Sequence, residues 1–274
     1  MPYFYYYGFD WTYLVLVLPC LIFAMIASSR VNSTFKKYSN QYSQRRITGA
    51  DAALRVLHAN GVHGVRIERV SGNLTDHYDP RTNVIRLSDS VYDSTSTAAI
   101  GVACHEAGHA VQYAHDYGPI KLRAAIIPVT NIGSKLAMPL ILIGLLLGAT
   151  GLAKLGVILF LFVVFFQVVT LPVEFNASRR ALKVLNERNM LAGNELSSAK
   201  KVLSAAAMTY VAAVFSSVLQ LLRLVLLLIN RLLGLLIITL SCLLIIHRLS
   251  LWSISSIVRI WLLGLLLNLF RRTT

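Results

Sequence analysis

The chain has 274 residues, of which 56% are hydrophobic and only 14% are charged, and its formal net charge is +14. This apolar composition excludes an ordinary soluble domain and predicts several membrane spans. The excess of Lys and Arg is typical of anchoring where a membrane protein meets the cytoplasm. Nucleic-acid binding is not expected, because the basic residues are scattered and form no aromatic-basic module.

The first predicted element is a transmembrane anchor within residues 1–27, built on the apolar run WTYLVLVLPCLIFAMIA. No Lys or Arg precedes this run and no small-x-small cleavage site follows it, so a retained anchor fits better than a signal peptide. Arg30, Lys36 and Lys37 come directly afterwards. The excess of positive charge places the N-terminus outside and the next segment in the cytoplasm.

Residues 28–136 are predicted to form a small cytoplasmic α+β segment. Its expected elements are, in chain order, a capped helix over 48–61, strands over 65–70 and 84–88, and a longer helix that begins at the hydroxyl-rich run 94–97 and carries the sequence HEAGH. The strand VIRLS at 84–88 is a candidate for pairing edge to edge with an extended substrate.

The remainder of the chain alternates between apolar and polar stretches. We expect a transmembrane hairpin over 137–173 with its break at Lys154, a cytoplasmic helix over 174–201 and a further span over 202–229. The tail 230–274 contains no acidic residue and no Lys. It is interpreted either as a membrane-embedded tail or as a frameshifted extension without function. Together these elements predict a mainly α membrane protein, a polytopic helical bundle.

The sequence HEAGH has the residue types and the spacing of a zinc site. Residues four apart lie on one face of a helix, so His105 and His109 can direct their imidazole nitrogens at one metal ion. Glu106 lies alongside and would act as the general base on a water that zinc makes more acidic. Cys104 points about 100° away from His105 and is expected to be a packing residue. The competing interpretation is a pair of surface histidines on an Ala-rich helix.

A catalytic zinc site needs a third protein ligand, and two candidates stay open. His115 has the spacing of the metzincin motif HExxHxxGxxH, but Gln112 stands where that motif has its helix-breaking glycine. Glu174 is a carboxylate at a membrane boundary, which is costly unless it is paired or bound to a metal. Two predicted spans separate Glu174 from HEAGH and return it to the same side, which favours Glu174. Its competing interpretation is a helix-start glutamate that interacts with the helix dipole.

The runs LTDHYDPRTNVIRLSDSVYDSTSTAAIGVACHEAGHAVQ (74–112) and LPVEFNASRRALKVL (171–185) resemble the YugP-type membrane zinc metallopeptidases of bacteria. The resemblance extends in order over roughly residues 3–229, so the tail lies outside it. It implies an architecture similar to that of the HtpX-like membrane peptidases. In those proteins a transmembrane hairpin separates the HExxH helix from a later helix that carries a glutamate.

The resemblance also implies roles for individual residues. His105, His109 and Glu174 would bind one zinc ion per chain, and Glu106 would be the catalytic base. The wider group often has an acidic residue four positions after the ligand glutamate, where this chain has Ser178. The task of orienting a zinc histidine would then pass to Ser178 or to Asn176, or be absent.

The expected function is hydrolysis of peptide bonds in protein or peptide substrates by a multi-pass protein of the cell membrane, with its active site on the cytoplasmic side. Three residues are open candidates for stabilising the oxyanion of the reaction, namely Tyr210, His77 and Arg179. The alternative function is a non-catalytic membrane protein in which zinc is a structural staple. A staple would require a fourth protein ligand. The sequence predicts no oligomeric state.

Overall fold

The structure is a computed structural model that describes residues 12–270, with side chains described for 12–234 and 236–243. The first eleven residues of the predicted anchor and the last four of the tail therefore lie outside the described residues. The chain divides into two compact units, Met1–Leu224 and Val225–Thr274. The described part of the second unit is the C-terminal portion of a single helix.

Helices account for most of the fold. They are α1 (Leu18–Ser39, preceded by a π-helical turn at Tyr13–Val17), α2 (Gly49–Ala59), α3 (Thr97–Ala114), α4 (Gly118–Leu146), α5 (Thr150–Glu187) and α6 (Asn194–Phe270). Within the described part of the chain, four helical segments are long and apolar enough to cross a membrane, namely Tyr13–Ser39, Gly118–Leu146, Thr150–Glu187 and Asn194–Leu243. The prediction of a mainly α, multi-pass membrane protein is confirmed.

A small three-stranded sheet follows α2. Its strands are β1 (Arg66–Val70), β2 (His77–Asp79) and β3 (Val84–Ser88), in the order β1-β3-β2. β3 pairs with β1 in parallel and with β2 in the antiparallel sense. The prediction that VIRLS offers an edge to the substrate is wrong over residues 84–86, because the main chain of β3 is paired on both sides there. The sequence did not reveal β2, which has only three residues.

The helices that flank this sheet begin where the capping signals predict. The hydroxyl of Thr48 accepts a hydrogen bond from the backbone N–H of Asp51 at 3.1 Å and donates one to the Asp51 carboxylate at 2.8 Å. Ser96 caps α3 by accepting a hydrogen bond from the N–H of Ala99 at 3.2 Å. These bonds satisfy backbone donors that the first turn of a helix leaves unpaired.

The hairpin of α4 and α5 differs from its prediction at both ends. α4 begins at Gly118, well before the apolar run, and the turn lies at 147–149, where Gly148 has a φ of +68° that suits glycine. Lys154, the predicted break, lies inside α5. Glycine also brings the two helices together, because a Cβ at Gly144 would be 2.5 Å from the Ala153 nitrogen.

Two expected helix boundaries are absent. α5 continues without interruption through Glu174, although Pro172 lies in its interior. Glu174 is therefore not a helix-start residue, and the interpretation based on the helix dipole does not apply. Similarly, α6 continues past residue 230. The breaks were expected from changes in polarity, but a helix that leaves a membrane remains a helix because its backbone bonds are satisfied internally.

α3 lies at the centre of the core. Its small residues are fully buried against α2, α5 and α6, in a cluster that includes Ala103, Ala107, Leu57, Leu185 and Ala199. The closest approach is at Gly108, where an added Cβ would lie 2.6 Å from the carbonyl oxygen of Ala177 in α5. The faces of α3 and α5 that carry His109 and Glu174 are therefore held almost backbone to backbone.

Replacing Gly108 by Ala should lower the melting temperature of the detergent-solubilised protein relative to Gly101→Ala. At Gly101 the nearest atom to an added Cβ is 3.4 Å away, on the side chain of Ala199, whereas at Gly108 it is a backbone atom at 2.6 Å. Both substitutions raise the helix propensity equally. The difference between the two melting temperatures therefore reports the steric overlap of the new Cβ at position 108 with the α5 backbone, which costs about 1–3 kcal/mol. Equal melting temperatures would contradict the close approach of α3 and α5.

Candidate metal centre

Three side chains from two helices meet at one point. α3 presents His105 and His109 one turn apart, with their rings edge to face and their centroids 4.7 Å apart. α5 presents Glu174, whose Oε2 lies 3.3 Å from His105 Nε2 and 3.5 Å from His109 Nε2. One nitrogen or oxygen atom from each of the three residues lies within 4.8 Å of the others.

These separations suit a zinc ion. Zinc–ligand bonds of about 2.0–2.1 Å at tetrahedral angles place neighbouring ligand atoms about 3.4 Å apart. The two distances from the Glu174 carboxylate to the histidines are 3.3 Å and 3.5 Å, close to that value. Two imidazoles and a carboxylate are also a donor set that zinc accepts. The residues present therefore fit this metal.

The remaining ring nitrogen of each histidine has its own partner. His105 Nδ1 lies 3.0 Å from the hydroxyl of Ser178, and His109 Nδ1 lies 3.0 Å from Gln112 Oε1. The Gln112 amide in turn donates to the carbonyl of Val173 at 2.8 Å and to Asn176 Oδ1 at 3.0 Å. Such bonds fix the ring orientation and direct Nε2 at the metal position. Ser178 thus contacts a histidine directly, and Asn176 does so through Gln112.

Arg123 of α4 holds the other oxygen of Glu174. Its Nη1 lies 3.2 Å from Glu174 Oε1, whereas Oε2 faces the two imidazoles. The carboxylate is 3% exposed, so its charge needs such a partner. The arrangement assigns one carboxylate oxygen to the arginine and leaves the other directed at the histidines.

A cavity of about 170 Å³ opens beside this group. Glu106 lines it together with His105, Glu174, Asp76 and Tyr210. No hydrogen bond or ion pair holds the Glu106 carboxylate among the residues that the structure describes. Glu106 can therefore reach a molecule that enters the cavity.

Burial and hydrogen bonding set the protonation of groups around the cavity. Burial raises the pKa of Asp76, although hydrogen bonds from the N–H and hydroxyl of Ser88 oppose that rise. Burial alone would lower the pKa of His109, but its hydrogen bond with Glu174 and the nearby charges of Glu106 and Glu174 raise it above the ordinary value. The carboxylates thus make the site attractive to a cation.

Other residues considered from the sequence lie elsewhere. His115 follows the end of α3, and its Nε2 lies 3.1 Å from the Asn60 carbonyl. Cys104 is fully buried in the core, and burial raises the pKa of its thiol. His77 is exposed, with its Nδ1 2.9 Å from the Thr75 carbonyl. Arg179 lines a neighbouring groove rather than the cavity.

Sequence reasoning missed two residues of the site. Gln112 lies three positions after His109 on the same helix, so its contact could have been predicted from helical spacing. In the comparison with the metzincin motif it is only the residue that stands in place of a glycine. Arg123 gives a weaker signal, namely a basic residue ahead of an apolar run, and its partner is 51 residues away.

Known proteins match most of this chain. A family model described as "Putative neutral zinc metallopeptidase" matches residues 13–229. The chain is 47% identical over 218 residues to "Putative membrane protease YugP" of Bacillus subtilis (strain 168), and the alignment covers 80% of this chain and 97% of that relative. No solved structure matches the chain significantly. This multi-pass membrane protein therefore belongs to the neutral zinc metallopeptidase family, as the resemblance in its sequence predicted.

Proposed function

We propose that this chain is a membrane-bound, zinc-dependent metalloendopeptidase that hydrolyses peptide bonds in protein or peptide substrates, with Glu106 as its general base. The observation that carries this proposal is the meeting of His105, His109 and Glu174 beside a cavity that Glu106 also lines. Membership of a zinc metallopeptidase family supports the same activity.

His105, His109 and Glu174 would hold one zinc ion per chain. An ion bound there would supply Lewis acidity, which polarises a carbonyl group and lowers the pKa of water. Among the described residues the group has three members, and no fourth His, Cys, Asp or Glu joins it. Three protein ligands are typical of catalytic sites, whereas structural sites have four. This difference favours the enzyme over the structural staple.

Other residues that line the cavity would act as the general base and as the hydrogen-bond donor to the oxyanion. Glu106 would remove a proton from the attacking water and deliver it to the leaving amine. Tyr210 is the strongest candidate for donating a hydrogen bond to the oxyanion, because it lines the cavity with Glu106. His77 and Arg179 lie outside that cavity and are weaker candidates.

We place the active site on the cytoplasmic side. Lys36 and Lys37 lie in the last turn of α1. Three more basic residues follow Glu174 on α5, namely Arg179, Arg180 and Lys183, and Arg188 comes directly after the helix. The turn between α4 and α5 carries no basic residue of its own at 147–149. Basic residues collect on the cytoplasmic side of membrane proteins, so this asymmetry supports the assignment.

Glu106→Gln should retain zinc and lose peptide cleavage. The amide keeps the shape of the side chain but cannot accept the proton, and loss of general-base catalysis slows such reactions about 10²–10⁴-fold. The measurement pairs cleavage of a casein-like substrate with zinc content, and Glu187→Gln, an exposed change on α5, is the control. Cleavage by Glu106→Gln at the rate of the control would show that the mechanism is wrong.

Arg123→Gln should weaken zinc binding, because the Glu174 carboxylate would lose the partner that fixes its unliganded oxygen. Loss of an outer partner of this kind typically costs about 10–100-fold in metal affinity. Competition with a chromogenic chelator measures the affinity. Lys121→Gln is the matched control, since Lys121 lies on the same turn of α4 but pairs with Asp116 at 2.7 Å. If the two variants bound zinc equally, Arg123 would have no positioning role.

A further inference from the structure

A groove of about 730 Å³ lies between α5 and α6, next to the cavity that contains Glu106. Arg179 and Lys183 line it from α5, and Lys200 lines it from α6. Apolar side chains, such as Leu182 and Leu196, line the space between these cations. The groove therefore combines an apolar surface with basic groups.

The basic groups of this groove are largely uncompensated. No acidic side chain lines the groove in the described part of the chain. Arg179 and Lys200 have no ion-pair partner among the described residues. Lys183 lies 3.8 Å from Glu187 in an exposed pair one helical turn apart, a kind of contact that contributes little. An anionic ligand in the groove would thus meet three cations without displacing a strong salt bridge.

The groove adjoins the catalytic cavity. Ser178, Leu203 and Ala207 line both spaces, and the Ser178 hydroxyl lies 3.0 Å from His105 Nδ1. The two spaces differ in charge, because a bound zinc ion and Arg123 would offset the carboxyl groups that line the cavity, whereas the groove carries three cations. A chain that extends from the cavity into the groove would therefore enter basic surroundings.

We propose that this groove binds the part of the substrate that flanks the scissile bond and selects Asp or Glu side chains there. The inference rests on the proposed peptidase function and adds a substrate preference to it. Acidic residues at the scissile bond itself would lie outside the groove. The groove would favour them a short distance away, on one side of the bond.

Helix geometry gives the expected distance. Lys183 follows Ser178 by five residues, which is about 7.5 Å along a helix axis. An extended peptide advances about 3.3 Å per residue. The preferred acidic residue should therefore lie about two to four positions from the cleaved bond.

An anionic lipid is the competing occupant of the groove. Phe175 and Met208 line it and are partly exposed, so an acyl chain could lie against them. The shared lining at Ser178, Leu203 and Ala207 favours the peptide, because it places the groove directly beside the catalytic cavity. The experiment must separate the two occupants.

The test uses two libraries of fluorogenic dodecapeptides that are identical except for Glu or Gln at the positions about two to four residues from the central bond. Wild-type protein in phosphatidylcholine nanodiscs should cleave the Glu library with a kcat/KM about fivefold higher, as expected for two or three exposed charge contacts. Lys183→Gln/Lys200→Gln should bring that ratio close to one. Arg45→Gln/Arg55→Gln removes the same charge from exposed sites elsewhere and should keep the preference. Equal cleavage by wild type, or a preference that survives the groove variant, would overturn the proposal.

Two further experiments distinguish a failure of the proposed function from a failure of the groove proposal, and a bound peptide from a bound lipid. Binding of the labelled libraries to Glu106→Gln, followed by fluorescence anisotropy, does not require catalysis. Tighter binding of the Glu library would support the selection of acidic side chains by the groove, even if no peptide were cleaved and the proposed function failed. In nanodiscs that contain phosphatidylglycerol, a groove variant that loses bound lipid but keeps the peptide preference would identify an anionic lipid as the occupant and overturn the proposal.

Discussion

The site depends on the close approach of α3 and α5 at Gly108. His105 and His109 lie on either side of this glycine on α3, and Glu174 and Ser178 flank Ala177 on α5. With the two backbones in contact, short side chains can meet: a carboxylate reaches two imidazoles and a serine hydroxyl reaches a ring nitrogen. Any side chain at the crossing would separate the ligand atoms, so a small residue there is a condition for the metal centre.

The polar groups brought together by this crossing compensate one another. Glu174 is almost completely buried near the start of the polar part of α5, where an unpaired carboxylate would be costly. Arg123, both histidines and their partners Ser178 and Gln112 supply the required contacts. These contacts orient the ligand atoms towards one another, and such preorganisation is what a functional site requires. Because a tight turn joins α4 and α5, Arg123 and Glu174 lie at the same end of this hairpin, away from the turn.

Sequence patterns predicted the parts of the fold that depend on local chemistry. The capped starts of α2 and α3, two of the strands and the common face of His105 and His109 follow from spacing and side-chain type alone. Sequence patterns did not predict the features that depend on tertiary packing. The three-residue strand β2 exists because β3 offers it an edge, and α5 continues through Glu174 although polarity changes there. The pairing of Arg123 with Glu174 could not be predicted, because it depends on how α4 packs against α5.

The account predicts that zinc is held jointly by α3 and α5, and zinc content per chain tests this most directly. Wild-type protein and His115→Ala should each contain about one zinc ion after metal-replete purification, whereas Glu174→Ala should lose it because three protein ligands are required. His115 is a matched control, since its ring contacts the Asn60 carbonyl rather than the metal group. Loss of zinc in His115→Ala with retention in Glu174→Ala, or no zinc in the wild type, would contradict the two-helix metal centre.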